Sequence, residues 1–230
     1  MKKIIFIADF FVEQGVNGGA EICNEQLIKM FIGDGYKVIK INSNHVTAET
    51  INLNKNDSFF IVANFMALKE DYKGLFKEAS YLIYEHDHKY VANNDPSKFI
   101  NMVAPQSQII NREFYENAKA VFCQSSMHAT ALEKNILSNN IVNLGGNLWL
   151  DDKLDFLESL IGTKKTRKNA VLFSNNKNKG MPQTVDYCTK NNIDFEFINP
   201  CAYEDFAREL AKTERIIMFP QWMETFNRVT

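Results

Sequence analysis

Cysteine is scarce in this chain of 230 residues, which has only four: Cys23, Cys123, Cys188 and Cys201. They lie far apart and form neither a Cys-x-x-Cys pair nor a series of close spacings. A disulfide framework or a structural zinc site has such spacings, so the sequence argues against both. Scattered thiols are typical of a reducing compartment, and we expect a cytoplasmic protein.

A surplus of positive charge is also missing. Lysine and arginine number 26 against 28 acidic residues, for a formal net charge of -2. Proteins that bind nucleic acid carry a basic surplus, so we predict no nucleic-acid partner. The one basic run, residues 164–168, is interpreted as a solvated linker, with a phosphate-binding or membrane-binding patch as the alternative.

Long hydrophobic runs are absent, since no stretch approaches the ~20 apolar residues that span a bilayer. The first apolar run follows Met1-Lys2-Lys3, as the core of a signal peptide would. However, Asp9 and Glu13 interrupt it, and no small-residue cleavage site follows. The segment is therefore predicted to be a buried first strand.

What the chain does have is 45% hydrophobic and 12% aromatic residues, enough for a sizeable core. Apolar runs of strand length alternate with helical segments, which predicts an α/β fold with parallel sheets covered on both faces. The predicted strands are residues 4–8, 37–41, 59–63, 81–84, 120–123, 170–173, 195–198 and 215–220. The predicted helices are residues 20–31, 111–118, 126–134, 182–190 and 203–211.

These segments group into two Rossmann-like domains. Residues 1–150 are predicted to form the first domain. Residues 151–168 are predicted to be a linker that begins with a short helix, and residues 169–230 the second domain. The last has only about 60 residues, fewer than an ordinary domain, so we expect it to be incomplete.

A glycine-rich loop, residues 13–21, joins the first strand to the first helix. Glycines let the backbone approach a ligand, and the free N–H groups of a helix's first turn attract anions. The spacing does not fit Gly-x-Gly-x-x-Gly, and Asn42-Ser43 ends the second strand where a ribose-binding acid would stand. An NAD-dependent dehydrogenase is disfavoured, whereas a tight turn with packing glycines stays an alternative.

A polar segment, Glu85-His86-Asp87-His88, follows the fourth strand. His86 and His88 could ligate a metal, although no third ligand is identifiable in the sequence. Glu85 and His86 could instead form an acid/base pair, or all four could be ordinary polar residues at a strand end.

Three further segments are candidates. Ser125 or Ser126 is expected to cap the helix that follows the fifth strand. The loop of residues 174–180 carries Lys177 and Lys179 and could be either an anion site or a solvated turn. The terminal Glu224-Thr225-Phe226 follows a predicted buried strand that ends in proline.

In this order, the motifs resemble those of retaining glycosyltransferases of the GT-B fold, the group that includes glycogen synthase and bacterial mannosyltransferases. Gly18-Gly19-Ala20-Glu21 is similar to the Gly-Gly-x-Glu of that family, and His86 to its strand-end histidine. Lys179-Gly180 resembles its Lys-Gly, and Glu224-Thr225-Phe226 its Glu-(Ser/Thr)-Phe.

The resemblance implies transfer of a sugar from a nucleotide-sugar donor to an acceptor hydroxyl, with retention of configuration and with neither metal nor cofactor. The acceptor could be a saccharide, a lipid or a protein. The absence of Asp-x-Asp agrees with metal independence and argues against the GT-A class. The implied catalytic residues are His86, Lys179 and Glu224. The implied donor-binding residues are Gly18, Gly19, Lys177, Lys179, Glu224, Thr225 and Phe226.

Two departures from the family pattern affect this expectation. The arginine that precedes the lysine in the family has no counterpart, and lysine cannot reproduce a bidentate guanidinium contact. The family's second glutamate would stand at position 232, beyond the terminal Thr230. We therefore expect a C-terminally truncated transferase of impaired activity.

The alternatives are a non-catalytic nucleotide- or sugar-binding module and a sugar-phosphate or nucleotide enzyme of another Rossmann-like group. An unfinished sheet would leave residues 216–219 with an open edge. We expect a homodimer to cover this edge, or else the first domain.

Overall fold

A computed structural model describes residues 2–16 and 18–225 of the chain. The described residues form two compact units. The first comprises the chain up to Leu148 together with the segment from Glu224, and the second comprises Trp149–Met223. The domain bounds expected from the sequence stay a prediction.

The strands and helices alternate along the chain, as the sequence pattern predicts. The strands are β1 (Lys3–Ala8), β2 (Lys37–Asn42), β3 (Ser58–Val62), β4 (Ser80–Tyr84), β5 (Val121–Cys123), β6 (Ile141–Asn143), β7 (Arg167–Leu172), β8 (Glu196–Ile198) and β9 (Thr213–Ile217). The α-helices are α1 (Gly19–Gly33), α2 (Ala48–Asn54), α3 (Glu70–Lys73), α4 (Arg112–Glu116), α5 (Ser126–Glu133), α6 (Asp151–Ser159), α7 (Met181–Lys190) and α8 (Tyr203–Ala211).

The first unit contains a six-stranded parallel sheet in the order β2-β1-β3-β4-β5-β6. Side chains alternate across it, because successive residues of a strand point to opposite faces. In β1, Ile5 and Ile7 join the core on one face, whereas Ile4 and Phe6 join the core on the other. A strand buried on both faces reads as a continuous apolar run, which explains why these strands are visible in the sequence.

The second unit contains a three-stranded parallel sheet in the order β8-β7-β9. The α/β fold class with two parallel sheets is therefore confirmed. Among the described strands, β9 has β7 as its one neighbour, so it lies at an edge. The incompleteness of the second domain and the homodimer over this edge stay predictions.

Some elements differ from their predicted bounds. Helix α4 covers Arg112–Glu116 and is shorter than the predicted 111–118. Strand β9 covers Thr213–Ile217 and ends before the predicted residue 220. The short elements α2, α3 and β6 were not predicted, since a few residues carry too little periodicity to reveal them.

No helix in residues 2–16 and 18–225 is both long enough and apolar enough to cross a bilayer.

Candidate functional site

Polar residues follow the strands of the first sheet where each strand ends. Asp9 follows β1, Asn64 lies two positions beyond β3, His86 two beyond β4, and Gln124 one beyond β5. Because all six strands are parallel, these ends share one edge of the sheet. The chain also reverses its strand order at β1 and β3, and ligands of open α/β sheets bind at such a switch point.

His86 is held by hydrogen bonds on both ring nitrogens. Its Nε2 lies 2.7 Å from Oδ1 of Asn24 on α1, and its Nδ1 lies 3.2 Å from Nε2 of Gln124. An amide oxygen only accepts and an amide nitrogen only donates. The imidazole is therefore neutral, with its proton on Nε2. The ring is 4% exposed, so the surrounding protein fixes its orientation.

Thr225, in the Glu-Thr-Phe motif, contacts the backbone of His86. The Thr225 hydroxyl lies 2.7 Å from the backbone oxygen of His86 and 2.8 Å from Oε1 of Gln124. With one proton, it donates to one of these oxygens at a time. The hydroxyl of Ser125 donates to the backbone oxygen of Thr225 at 2.7 Å. Two motifs that are distant in sequence thus meet within the first unit.

A buried ion pair joins Glu85 and Lys89, which flank His86 in the sequence. The Lys89 ammonium donates to Oε1 of Glu85 and to Oδ2 of Asp87, both at 3.1 Å. The backbone N–H of Asp87 and the hydroxyl of Tyr115 also donate to the Glu85 carboxylate. Glu85 and Lys89 are at most 1% exposed. Burial favours the neutral amine, but the two carboxylates outweigh it and raise the pKa of Lys89. These contacts fix the backbone on both sides of His86.

His128 on α5 is hydrogen-bonded to the backbone next to His86. Its Nδ1 accepts the backbone N–H of Gln124 at 3.2 Å, and its Nε2 donates to the backbone oxygen of Asp87 at 3.1 Å. Burial lowers the pKa of His128 to about 4, so the ring is neutral at physiological pH. Ser125, whose side chain accepts the N–H of His128, caps α5. The predicted capping role of this serine is confirmed.

The glycine loop enters α1 beside a buried carboxylate. Gly18 is the N-cap residue and Gly19 the first residue of α1. A Cβ at position 18 would overlap the Glu21 carboxylate, which accepts a hydrogen bond from Nδ2 of Asn64 at 3.3 Å. Burial raises the pKa of Glu21. Gly18 therefore lies directly against this carboxylate.

Asp9 fastens the loops at the switch point. Its carboxylate accepts the backbone N–H groups of Met66 and Ala67, both at 3.0 Å, and the hydroxyl of Ser43. The ends of β1, β2 and β3 are thereby joined. Asp9 therefore positions the loops that follow β2 and β3.

In the second unit, the lysine loop leads into α7. Lys177 and Lys179 lie in a single 3-10 turn whose N-cap residue, Asn176, accepts the N–H of Asn178 at 2.9 Å. Gly180 follows with φ +66° and is the N-cap residue of α7. The loop thus presents two lysines directly before a helix N-terminus, where anions are favoured.

The structure therefore brings together part of the predicted set. His86, Gly18, Gly19, Glu224 and Thr225 belong to the first unit, with Glu224 half-buried. Lys177 and Lys179 belong to the second unit, and Phe226 lies outside the described residues. The predicted roles of these residues stay proposals. Within the described ranges, no group of three or more His, Cys, Asp or Glu side chains is placed to hold a metal ion.

Sequence reasoning missed four amides of the first unit: Asn24 and Gln124, which are hydrogen-bonded to His86, and Asn64 and Asn147. Gln124 donates to Oδ1 of Asn147 at 2.9 Å. Asn64 and Gln124 could have been found, because each is the first or second residue after a buried strand. Asn24 gave no comparable signal, since a polar residue inside a helix ordinarily faces solvent.

No protein-family model matches the sequence, and no curated protein does. Solved structures do match. The Anabaena protein Alr3699/HepE, in complex with UDP and glucose, is 12% identical with a TM-score of 0.57; the match covers 100% of this chain and 77% of that one. An α-glucosyltransferase in complex with UDP-glucose and DNA containing an abasic site is 12% identical with a TM-score of 0.51, over 100% and 74% of the two chains.

A glycosyltransferase from Rickettsia africae ESF-5 is similar to the same extent. It is 13% identical with a TM-score of 0.51, and the match covers 99% of this chain and 75% of that one. At such identities the likeness concerns the fold alone. The fold of this chain is therefore GT-B-like.

Proposed function

We propose that this protein is a glycosyltransferase that moves a sugar from a nucleotide-sugar donor to an acceptor hydroxyl, with retention of configuration. The hydrogen bond from Thr225 to the backbone oxygen of His86 carries the proposal. It joins the strand-end histidine to the Glu-Thr-Phe motif, 139 positions later in the chain.

In this proposal the first unit binds the sugar. Glu224 contacts its hydroxyls, and the backbone at Gly18 and Gly19 approaches the donor. His86 orients the amides of Asn24 and Gln124, to which its two ring nitrogens are hydrogen-bonded. Thr225 holds the motif in place, and Phe226 completes it. Fixed polar groups of this kind contribute to catalysis by orienting the reacting carbon.

Two buried amide atoms, one of the His86 partner Asn24 and one of Asn64, support a hydroxyl-rich ligand. Nδ2 of Asn24 and Oδ1 of Asn64 have no hydrogen-bond partner among the described residues, and both side chains are at least nine-tenths buried. Burying a donor or an acceptor without a partner costs about 1–3 kcal/mol. A sugar hydroxyl both donates and accepts, so sugar hydroxyls can satisfy one atom of each kind.

The second unit supplies positive charge in this proposal. Lys177 and Lys179 neutralise the diphosphate leaving group, together with the first N–H groups of α7. A retaining transfer from a nucleotide sugar needs charge stabilisation on the departing diphosphate more than it needs side-chain acids. This division of roles requires neither a metal nor a cofactor.

One observation favours a second candidate, a nucleotide-binding module without turnover. The loop of residues 174–180 contains two lysines and no arginine. A lysine offers a point charge, whereas an arginine fork holds a phosphate in two hydrogen bonds. Such a site could bind a nucleotide sugar, but it would stabilise the charge on the departing diphosphate poorly.

Calorimetry with UDP, followed by NMR detection of UDP released from UDP-glucose, tests both candidates. Micromolar UDP binding with turnover supports the transferase, and binding without turnover supports the module. The other nucleoside diphosphates and their sugars are tested in the same way. Failure of all of them to bind would overturn both candidates.

The His86→Gln variant refines this test. Loss of the oriented ring is expected to lower kcat by about 10²-fold. His45→Gln is the matched control, because His45 is exposed on a short 3-10 turn after β2. Equal kcat values for His86→Gln and His45→Gln would contradict the role given to His86.

A further inference from the structure

In the second unit, hydrogen bonds join the lysine loop of residues 174–180 and the start of α7 to the segment after β9. The backbone N–H of Gln221 donates to the backbone oxygen of Asn178 at 2.8 Å. The N–H of Phe219 donates to the hydroxyl of Thr184, which itself donates to the backbone oxygen of Gly180 at 2.9 Å. These bonds fix two loops that are about 40 positions apart in sequence.

These hydrogen bonds bring two side chains together. Lys179 follows Asn178, and Trp222 follows Gln221, so the Asn178–Gln221 hydrogen bond places the next residues side by side. The Lys179 ammonium lies 5.6 Å from the centroid of the Trp222 ring. That distance is within the range of a cation–π interaction, for which tryptophan is the best partner. Lys179 is half-buried, whereas Lys177 is exposed.

We propose that Trp222 is a positioning residue that holds Lys179 for the diphosphate of the donor. The inference rests on the proposed function, and it adds Trp222 to the determinants of diphosphate affinity. A free lysine has many rotamers, and ordering them on binding lowers affinity. A ring that already holds the ammonium from one side removes part of that loss.

The first test compares UDP affinity in Trp222→Leu, Trp222→Phe and the unchanged chain. A cation–π contact at a partly exposed position corresponds to a change of about two- to fivefold in affinity. We expect Trp222→Leu to weaken UDP binding by this factor and Trp222→Phe to restore much of it. Thermal unfolding of each variant reports whether the unit is still folded.

A double-mutant cycle separates positioning from packing. In a Lys179→Gln background, the Trp222→Leu substitution is expected to have no further effect on UDP affinity. The loss from Trp222→Leu should also be smaller for UMP than for UDP, because the second phosphate adds charge. An equal loss in both backgrounds would show a packing effect and overturn the inference.

The chain contains two tryptophans, Trp149 and Trp222, which allows an optical readout. In Trp149→Phe, the fluorescence comes from Trp222. We expect UDP to change this emission in the concentration range of its calorimetric binding. UDP binding with unchanged emission would overturn the inference.

The outcomes distinguish the two proposals. If the unchanged chain binds none of the nucleoside diphosphates, the proposed function and this inference fail together. If it binds UDP and Trp222→Leu binds with the same affinity, this inference alone fails. The inference is supported if Trp222→Leu weakens UDP binding, Trp222→Phe restores it, and Trp222→Leu causes no further loss in the Lys179→Gln background.

Discussion

The hydroxyl of Thr225 lies 2.7 Å from the backbone oxygen of His86 and anchors the terminal segment to the first unit. We predict that Thr225→Val releases this segment. Valine has the shape of threonine without the hydroxyl, and the buried oxygens of His86 and Gln124 lose a donor. That loss costs about 1–3 kcal/mol.

Hydrogen–deuterium exchange of a peptide that contains residues 224–225 measures the release. Exchange there should become faster in Thr225→Val, while exchange in β1 and β3 stays unchanged. Thr225→Ser is the matched control, since it keeps the hydroxyl. If Val and Ser variants exchange alike, the hydrogen bond does not hold the segment.

Much of the fold follows from the sequence because of how these strands are buried. In β1, β3 and β4 nearly every residue is apolar and buried, so the run is continuous and bounded by polar residues. Helix α8, with bounds Tyr203–Ala211, was predicted to the residue. Such segments carry their signal locally.

The site was less accessible to sequence reasoning, because its contacts are long-range. His86 could be singled out as a strand-end histidine. Its partner Asn24 is 62 positions away and Thr225 is 139 positions away. In the sequence, Glu85 could be an acid/base partner of His86 or an ordinary polar residue, and Lys89 gives no signal, yet the two form a buried ion pair. No local pattern reports that two charges share one enclosed space.

This buried pair gives the second prediction. Lys89→Met leaves the Glu85 carboxylate enclosed without its cation, which should lower the free energy of unfolding by about 3–5 kcal/mol. The double variant Glu85→Gln with Lys89→Met removes both charges and should be clearly more stable than Lys89→Met alone. Urea unfolding measures both. Additive losses in the double variant would show that the two side chains act independently.

The third prediction concerns Gly180, whose φ is +66°. A Cβ at this position would overlap the backbone oxygen of Phe219. Gly180→Ala therefore combines the strain of a left-handed conformation, about 1–2 kcal/mol, with a steric clash against backbone. We expect a large fall in the unfolding temperature of the second unit and weaker UDP binding.

Gly162→Ala is the control for Gly180→Ala. Gly162 lies in the same unit with φ +82°, but a Cβ there would have nothing within 4 Å. It should therefore show the conformational strain without the clash. If both variants unfold at the same temperature, the packing of Gly180 against Phe219 has no energetic role.

The last prediction is a dependence of stability on pH through His128. Its pKa is lowered by burial to about 4, whereas an unfolded histidine titrates near its ordinary value of about 6.5. Between these values the unfolded chain binds a proton that the folded chain does not. The free energy of unfolding must therefore fall as the pH decreases from about 7 to 4, by about 3 kcal/mol from this group alone.

Urea unfolding of the unchanged chain and of His128→Gln, measured across this pH range, isolates the contribution. Glutamine has an amide that can donate to the backbone oxygen of Asp87 as Nε2 of His128 does, and it does not titrate. The difference in unfolding free energy between the two proteins should change steadily from pH 7 to 4. Glu21, whose pKa burial raises, acts in the opposite direction in both proteins and cancels in this difference. A difference that stays constant with pH would mean that the pKa of His128 is the same in the folded and unfolded states, so that burial does not lower it.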